Sequence, residues 1–241
     1  MRPAYVRRPR AGSGGVGLDG AVTSFDYSNL SGRPPGLFLR TAGLVSRGVR
    51  DVQAQVAPYA AWWEQQNRAA LTTDGPLWVV LGDSMSQGIG ASAPDRGWVG
   101  ALRSRLPHRV VNLSVSGGLI RDVVDRQLPA LRSLEAVPDL VTVMIGSNDL
   151  FNRRQSRLLE EHAAELVRVL PDGAVVASLP QPRRAARAFN LAVVDAGRFR
   201  LAEFRDPRLR SWSGRLAADR FHPNDAGYAA MAEIMAEAVQ A

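Results

Sequence analysis

From Pro76 onward the chain alternates between two rhythms. Short, largely apolar runs occur at Leu77–Leu81, Arg109–Leu113, Leu140–Ile145, Ala174–Leu179 and about Arg200–Phe204. Between them, apolar residues recur at helical spacing over Trp98–Leu106, Leu119–Leu134, Arg153–Leu170, Arg184–Ala196 and Asp225–Val239. Runs with consecutive apolar residues and no strict alternation suit strands buried on both faces. Strands alternating with helices predict a parallel sheet covered by helices on either side. In such sheets ligands bind beyond the carboxyl ends of the strands. Pro129 falls inside the second helical segment and is expected to kink or shorten it.

The first 75 residues follow neither rhythm. Residues 1–35 include the Gly/Ser-rich stretch "AGSGGVGLDGAVTSFDYSNLSG" and read as a flexible tail. Over residues 36–75 the pattern turns helical. Leu37, Leu39, Leu44, Val45, Val49, Val52 and Val56 mark an apolar stripe. Pro58 is expected to break it, and a second helix is expected through "YAAWWEQQNRAAL". Trp62 and Trp63 suit packing onto the domain that follows, over residues 76–241, better than a lid or a membrane contact. No internal repeat is present.

Composition removes several chemistries. The 241 residues suffice for one α/β domain plus extensions. Without cysteine there are no disulfides, thiol nucleophiles, iron–sulfur clusters or cysteine zinc sites. All 30 basic residues are arginine, which removes a P-loop lysine and a lysine Schiff base. The three histidines, His108, His162 and His222, are scattered, so no zinc site is expected, and the serine chemistry read below needs neither a metal nor a cofactor.

The net charge of +7 is concentrated at the start, where residues 1–50 hold eight arginines against Asp19 and Asp26. Such an arm suggests a second class of reading, a binding module contacting nucleic acid or anionic lipid. A solvated arm is the commoner meaning, so no nucleic-acid partner is expected. No apolar run follows the basic start, and none approaches the ~18 residues of a membrane helix. A cytoplasmic protein is the default expectation. Peripheral membrane contact stays open, and the pattern does not fix an oligomeric state.

The residues that follow the strands carry the chemistry. Leu77–Leu81 leads into Gly82-Asp83-Ser84, the second strand into "NLSVSGG", the third into "GSNDL", and "DRFHPNDAGY" precedes the last helix. A serine hydroxyl becomes a nucleophile when an imidazole takes its proton and a carboxylate orients that imidazole. A tetrahedral intermediate needs donors aimed at its oxyanion, each contributing about 3 kcal/mol. Ser84, His222, Asp219, a glycine turn and Asn148 are those parts. Taken alone, Ser84 reads equally as a helix N-cap. Asp83 and Asp149 read as turn supports outside the catalytic set, and His108 and His162 as structural or solvated.

In these four blocks the sequence resembles the SGNH hydrolases, the GDSL-type esterases and lipases. "GDSMSQG" is similar to the first block, "NLSVSGG" to the second, "GSNDL" to the third and "DRFHPNDAGY" to the fourth. Met85 stands where leucine is commonest. Ser86 departs from the G-x-S-x-G elbow of the larger α/β-hydrolases. The resemblance covers about Pro76 to Ala241. It implies a flavodoxin-like three-layer α/β/α fold with a five-stranded parallel sheet of order 2-1-3-4-5.

It also implies a catalytic Ser84, His222 and Asp219, with an oxyanion hole from the Ser84 and Gly117 N–H groups and the Asn148 amide. The expected activity is hydrolysis of a small-molecule or lipid-like ester through an acyl-enzyme. Acyl transfer to an alcohol or sugar, or deacetylation of a carbohydrate, would use the same site. The loop "GASAPDRGWVG" is expected to wall the acyl site. The segments from Phe151 and from Pro180 are further candidates, and the arginines there (Arg153, Arg154, Arg183, Arg184) read as solvated.

Overall fold

In the computed structural model, residues 25–33 and 46–241 are described. The arginines at positions 2, 7, 8, 10 and 40, and the apolar residues Leu37, Leu39, Leu44 and Val45, lie outside them. The described chain begins with α1 (Arg47–Gln53) and α2 (Val56–Leu71). Pro58 sits in the first turn of α2, where a missing N–H costs nothing, so the break falls just before it at Ala54–Gln55.

Strands β1 (Leu77–Gly82), β2 (Arg109–Asn112), β3 (Leu140–Met144), β4 (Val175–Ala177) and β5 (Arg200–Ala202) form one sheet in the order β2-β1-β3-β4-β5. All four pairings are parallel. Every residue of β1, an interior strand between β2 and β3, is buried. Connecting helices are α3 (Ser84–Gln87), α4 (Trp98–Arg103), α5 (Ile120–Asp122), α6 (Leu128–Arg132), α7 (Ser147–Phe151), α8 (Arg153–Val169), α9 (Arg184–Asp195) and α10 (Asp225–Gln240).

Strand alternation divides the core into two layers. Leu77, Val79 and Leu81 face Ile120, Leu159, Leu166 and Phe189 of α5, α8 and α9. Trp78 and Val80 face Trp63, Trp98 and Met231 of α2, α4 and α10. Trp63 is the anchor the sequence suggests. It is fully buried, and its indole N–H donates to the Gln87 carbonyl. Pro129 lies near the start of α6, and between α5 and α6 the helix widens to a π turn over Val123–Gln127. A proline has no N–H for the carbonyl one turn back, and its ring crowds that carbonyl, so widening is the response that keeps the helix going. No helix of the described residues is long and apolar enough to cross a membrane.

Residues 25–33 depart from the tail expectation. They run as an irregular strap along the open edge of the sheet. The Tyr27 hydroxyl donates to the Leu113 carbonyl, and the buried Asn29 amide donates to the Asn112 and Ser114 carbonyls. From α2, Asn67 donates to the Asn112 carbonyl at 2.8 Å and accepts from its N–H at 2.7 Å. Side-chain amides thus replace the neighbouring strand that β2 lacks. Asn67→Ala leaves the buried Asn112 N–H without an acceptor. We expect a loss of about 2 kcal/mol in urea-unfolding stability. Stability within 0.5 kcal/mol of the parent (roughly the scatter of neutral surface changes) would contradict this account of the edge.

Candidate active site

The site begins where β1 ends. Gly82 has φ +157, and a Cβ there would come within 2.5 Å of the Met144 carbonyl oxygen. Its N–H donates to Gln127 Oε1 and its carbonyl accepts from Gln127 Nε2, both at 2.8 Å. Asp83 follows as the N-cap of α3, its Oδ1 accepting from the Met85 N–H at 3.0 Å. Ser84 is therefore the first residue of α3. Asp83 holds the turn, and Ser84 stands at its tip.

The Ser84 hydroxyl lies 2.9 Å from His222 Nε2, joining residues 138 positions apart. His222 Nδ1 lies 2.6 Å from Asp219 Oδ2. The other carboxylate oxygen of Asp219 accepts the N–H groups of Phe221 and His222, each at 3.0 Å. This tight loop forces Arg220 to φ +56. An ionised Asp219 only accepts, so the proton of a neutral His222 sits on Nδ1, leaving Nε2 to accept from Ser84. Burial pushes the Asp219 carboxyl up. The hydrogen bond and charge of His222, with the two backbone N–H groups, outweigh that, and the net direction is down.

Gly117 lies in a turn at φ +71, where a Cβ would meet nothing within 4 Å. Glycine is needed there for its backbone conformation, not for space. No hydrogen bond within the described residues uses the N–H of Ser84 or of Gly117. Asn148 Nδ2 donates to the Gly118 carbonyl at 2.9 Å and reaches Asp83 Oδ2 only at 3.4 Å. All five residues singled out from the sequence thus converge on one edge of the sheet. Asp149, read as a turn support, accepts the Ile120 N–H at 3.1 Å and ties the third block to the second. His162 is buried, its Nδ1 3.9 Å from Asp149 Oδ1. Among the described residues, no three His, Asp or Glu side chains group as a metal would require.

Beside the triad opens a cavity of about 530 Å³, lined by Met85, Ile145, Phe151, Leu179, Phe204, Trp212 and Phe221 among others. Phe151 and Pro180 belong to the segments expected to shape the pocket. The loop "GASAPDRGWVG" does not line it. Gly90 instead packs against His222 and Pro223 from behind, where its Cβ would come within 2.7 Å of the His222 Cβ. Gln127, Ser147 and Phe221 were not singled out from the sequence. Ser147 donates to Asp83 Oδ2 at 2.9 Å, and the Phe221 ring meets the His222 ring edge-on. Their one signal is adjacency to Asn148 and His222; Gln127 has none.

Comparison with known proteins fits this geometry. The sequence model of the GDSL-like Lipase/Acylhydrolase family matches residues 80–230. The chain belongs to that family. A curated member, the GDSL-like esterase Rv1075c of Mycobacterium tuberculosis, is 26% identical over 189 residues. That alignment covers 65% of this chain and 59% of the relative, so the chain spans less than two thirds of the relative's length. The crystal structure of TesA superposes with a TM-score of 0.55 at 25% identity, covering 68% of this chain and 98% of TesA. A variant of Axe2, an acetyl xylan esterase from Geobacillus stearothermophilus, shares the fold at 19% identity. It has a TM-score of 0.52, covering 70% of this chain and 96% of that one. The family fold is the five-stranded parallel α/β/α sandwich seen here.

Burial pushes the carboxyls of Asp83 and Asp149 up from 3.8 to about 6, against the N–H groups of Met85 and Ile120 that favour the charged form. Both groups then hold protons in the folded state that the unfolded chain has released. Folding stability is therefore expected to fall as pH rises from about 4 to about 6. Asp149→Asn is expected to make that fall shallower when urea midpoints are measured across the window. An unchanged slope would count against the burial assignment.

Proposed function

We propose that this GDSL-family protein is a serine esterase that hydrolyses carboxylic esters through an acyl-enzyme on Ser84. The observation that carries the reading is the hydrogen-bonded chain Asp219–His222–Ser84, whose chain neighbours Met85, Phe221 and Pro223 line a largely apolar cavity. His222 Nε2 takes the hydroxyl proton as Ser84 Oγ attacks the ester carbonyl, and Asp219 stabilises the imidazolium. The Ser84 and Gly117 N–H groups, with Asn148 Nδ2, are the donors proposed to meet the oxyanion. The imidazolium then protonates the leaving alcohol. Water, deprotonated by the same imidazole, attacks the acyl carbonyl and releases the acid.

The acyl chain occupies the cavity between Ile145, Leu179, Phe204 and Trp212. An acetyl group would fill little of about 530 Å³, which favours longer acyl chains. The relative named as an esterase supports the reaction class.

The test requires no choice of substrate. The protein is treated with a fluorophosphonate, which reacts with activated serines, and the adduct is located by mass spectrometry. We expect labelling at Ser84 that His222→Ala abolishes. Ser84→Ala is expected to lower kcat on an 8-carbon 4-nitrophenyl ester by at least about 10³-fold. Full activity in Ser84→Ala would overturn the proposal. Adding an alcohol during turnover and analysing products separates hydrolysis from acyl transfer.

A further inference from the structure

We propose that the strap of residues 25–33, which lies outside the span shared with the family, positions the Gly117 turn, with Arg33 as its positioning residue. The inference rests on the esterase reading for its consequence and on contacts for its geometry. A glycine at φ +71 passes to negative φ at little cost, so nothing in Gly117 itself fixes the direction of its N–H. The direction must be imposed by neighbours.

Two routes from the strap supply it. The Arg33 guanidinium donates to the Gly117 carbonyl at 3.2 Å and to Asp122 Oδ2 at 2.5 Å. That same Asp122 oxygen accepts the Leu119 N–H at 2.7 Å, so one ion pair brackets the turn from Gly117 to the start of α5. On the other side, the Asn29 carbonyl accepts from Gln87 Nε2 at 2.8 Å, and Gln87 Oε1 accepts from the Ser116 hydroxyl at 2.5 Å. Ser116 and Gly117 flank the peptide whose N–H is the proposed oxyanion donor, and each is held by the strap directly or through a single buried side chain. The strap is seated by groups that do not touch the turn, including Arg126, which donates to the Leu30 and Ser31 carbonyls at 3.1 and 3.3 Å. Seating and clamping can therefore be separated.

The experiment compares full-length Arg33→Gln and Arg126→Gln with the parent. Turnover of an 8-carbon 4-nitrophenyl ester is measured, and the Gly117 amide is followed by ¹H–¹⁵N NMR. Removing an oxyanion donor outright costs 10²–10³-fold, so a donor kept but misaimed should cost less. We expect Arg33→Gln to lower kcat about tenfold with KM within about twofold of the parent. The Gly117 resonance should shift in the same variant, and Arg126→Gln should leave both near parental values. Parental kcat in Arg33→Gln overturns the proposal whatever the resonance does. An equal fall in both variants also overturns it, since seating alone would then account for the effect. If the parent turns over no ester and Ser84 takes no fluorophosphonate, the esterase reading fails. The Gly117 resonance then still decides the clamp: a shift confined to Arg33→Gln sustains it, and none removes it.

Discussion

The geometry of this site depends on a pair of hydrogen bonds two residues upstream of the nucleophile candidate. Gln127 grips both the N–H and the carbonyl of Gly82. A parallel strand that ends beneath a helix layer leaves its last peptide groups facing protein instead of water, and buried peptide groups need partners. The last ladder bond, from the Val115 N–H to the Gly82 carbonyl, is long at 3.2 Å, and beyond it the chain turns to present Ser84. A single side-chain amide, donor and acceptor in one plane, satisfies both groups at once. Gln127 reaches them from the π turn, so the helical irregularity around Pro129 and the presentation of Ser84 belong to one arrangement.

The same device recurs at the β2 edge and just beyond the end of β4. Asn67 and Asn29 serve Asn112, and Asn190 serves Leu179, donating at 2.9 Å and accepting at 2.8 Å. Gln87 bridges the strap to the second block. A buried amide is costly when half satisfied and specific when fully satisfied, because it accepts few arrangements. The apolar layers hold the sheet together. The amides determine where its loops stand, and the loops carry Ser84, Gly117 and Asn148.

This division explains what was legible in the sequence. Burial of apolar side chains has a period, and the five strands and the long helices followed from it with ends displaced by a few residues at most. The hydrogen-bonded grouping of Ser84, His222 and Asp219 was legible because the chemistry expected of them demands particular residue types in a particular order. The strap was not. It closes a Gly/Ser-rich stretch, and it is ordered by hydrogen bonds to residues more than 80 positions away, which leave no local pattern. Gln127 looked like a polar position on a helix. Only the π turn shows that it points inward, and only the fold shows what it meets. The loop after Gly90 was misplaced as a cavity wall because closeness to Ser84 in sequence does not say on which side of His222 it packs.

Electrostatics then separates carboxylates that the sequence alone leaves alike. Asp83 and Asp219 both stand within one or three residues of a triad member, and both are shielded from water. Asp219 has His222 and two N–H groups on its oxygens, which keep it charged despite its burial. Asp83 is buried more deeply with weaker support, and its carboxyl rises to about 6. Environments that push paired groups apart assign their roles. The group that stays charged faces the imidazole, where the proposed reaction would need an imidazolium stabilised. The other lies 3.4 Å from Asn148 Nδ2, beside the proposed oxyanion donors. A full charge there would oppose the one that develops on the substrate, and burial works against that charge. Asp83 is thus suited to hold the turn and poorly suited to replace Asp219, although it is the aspartate adjacent to Ser84 in the chain.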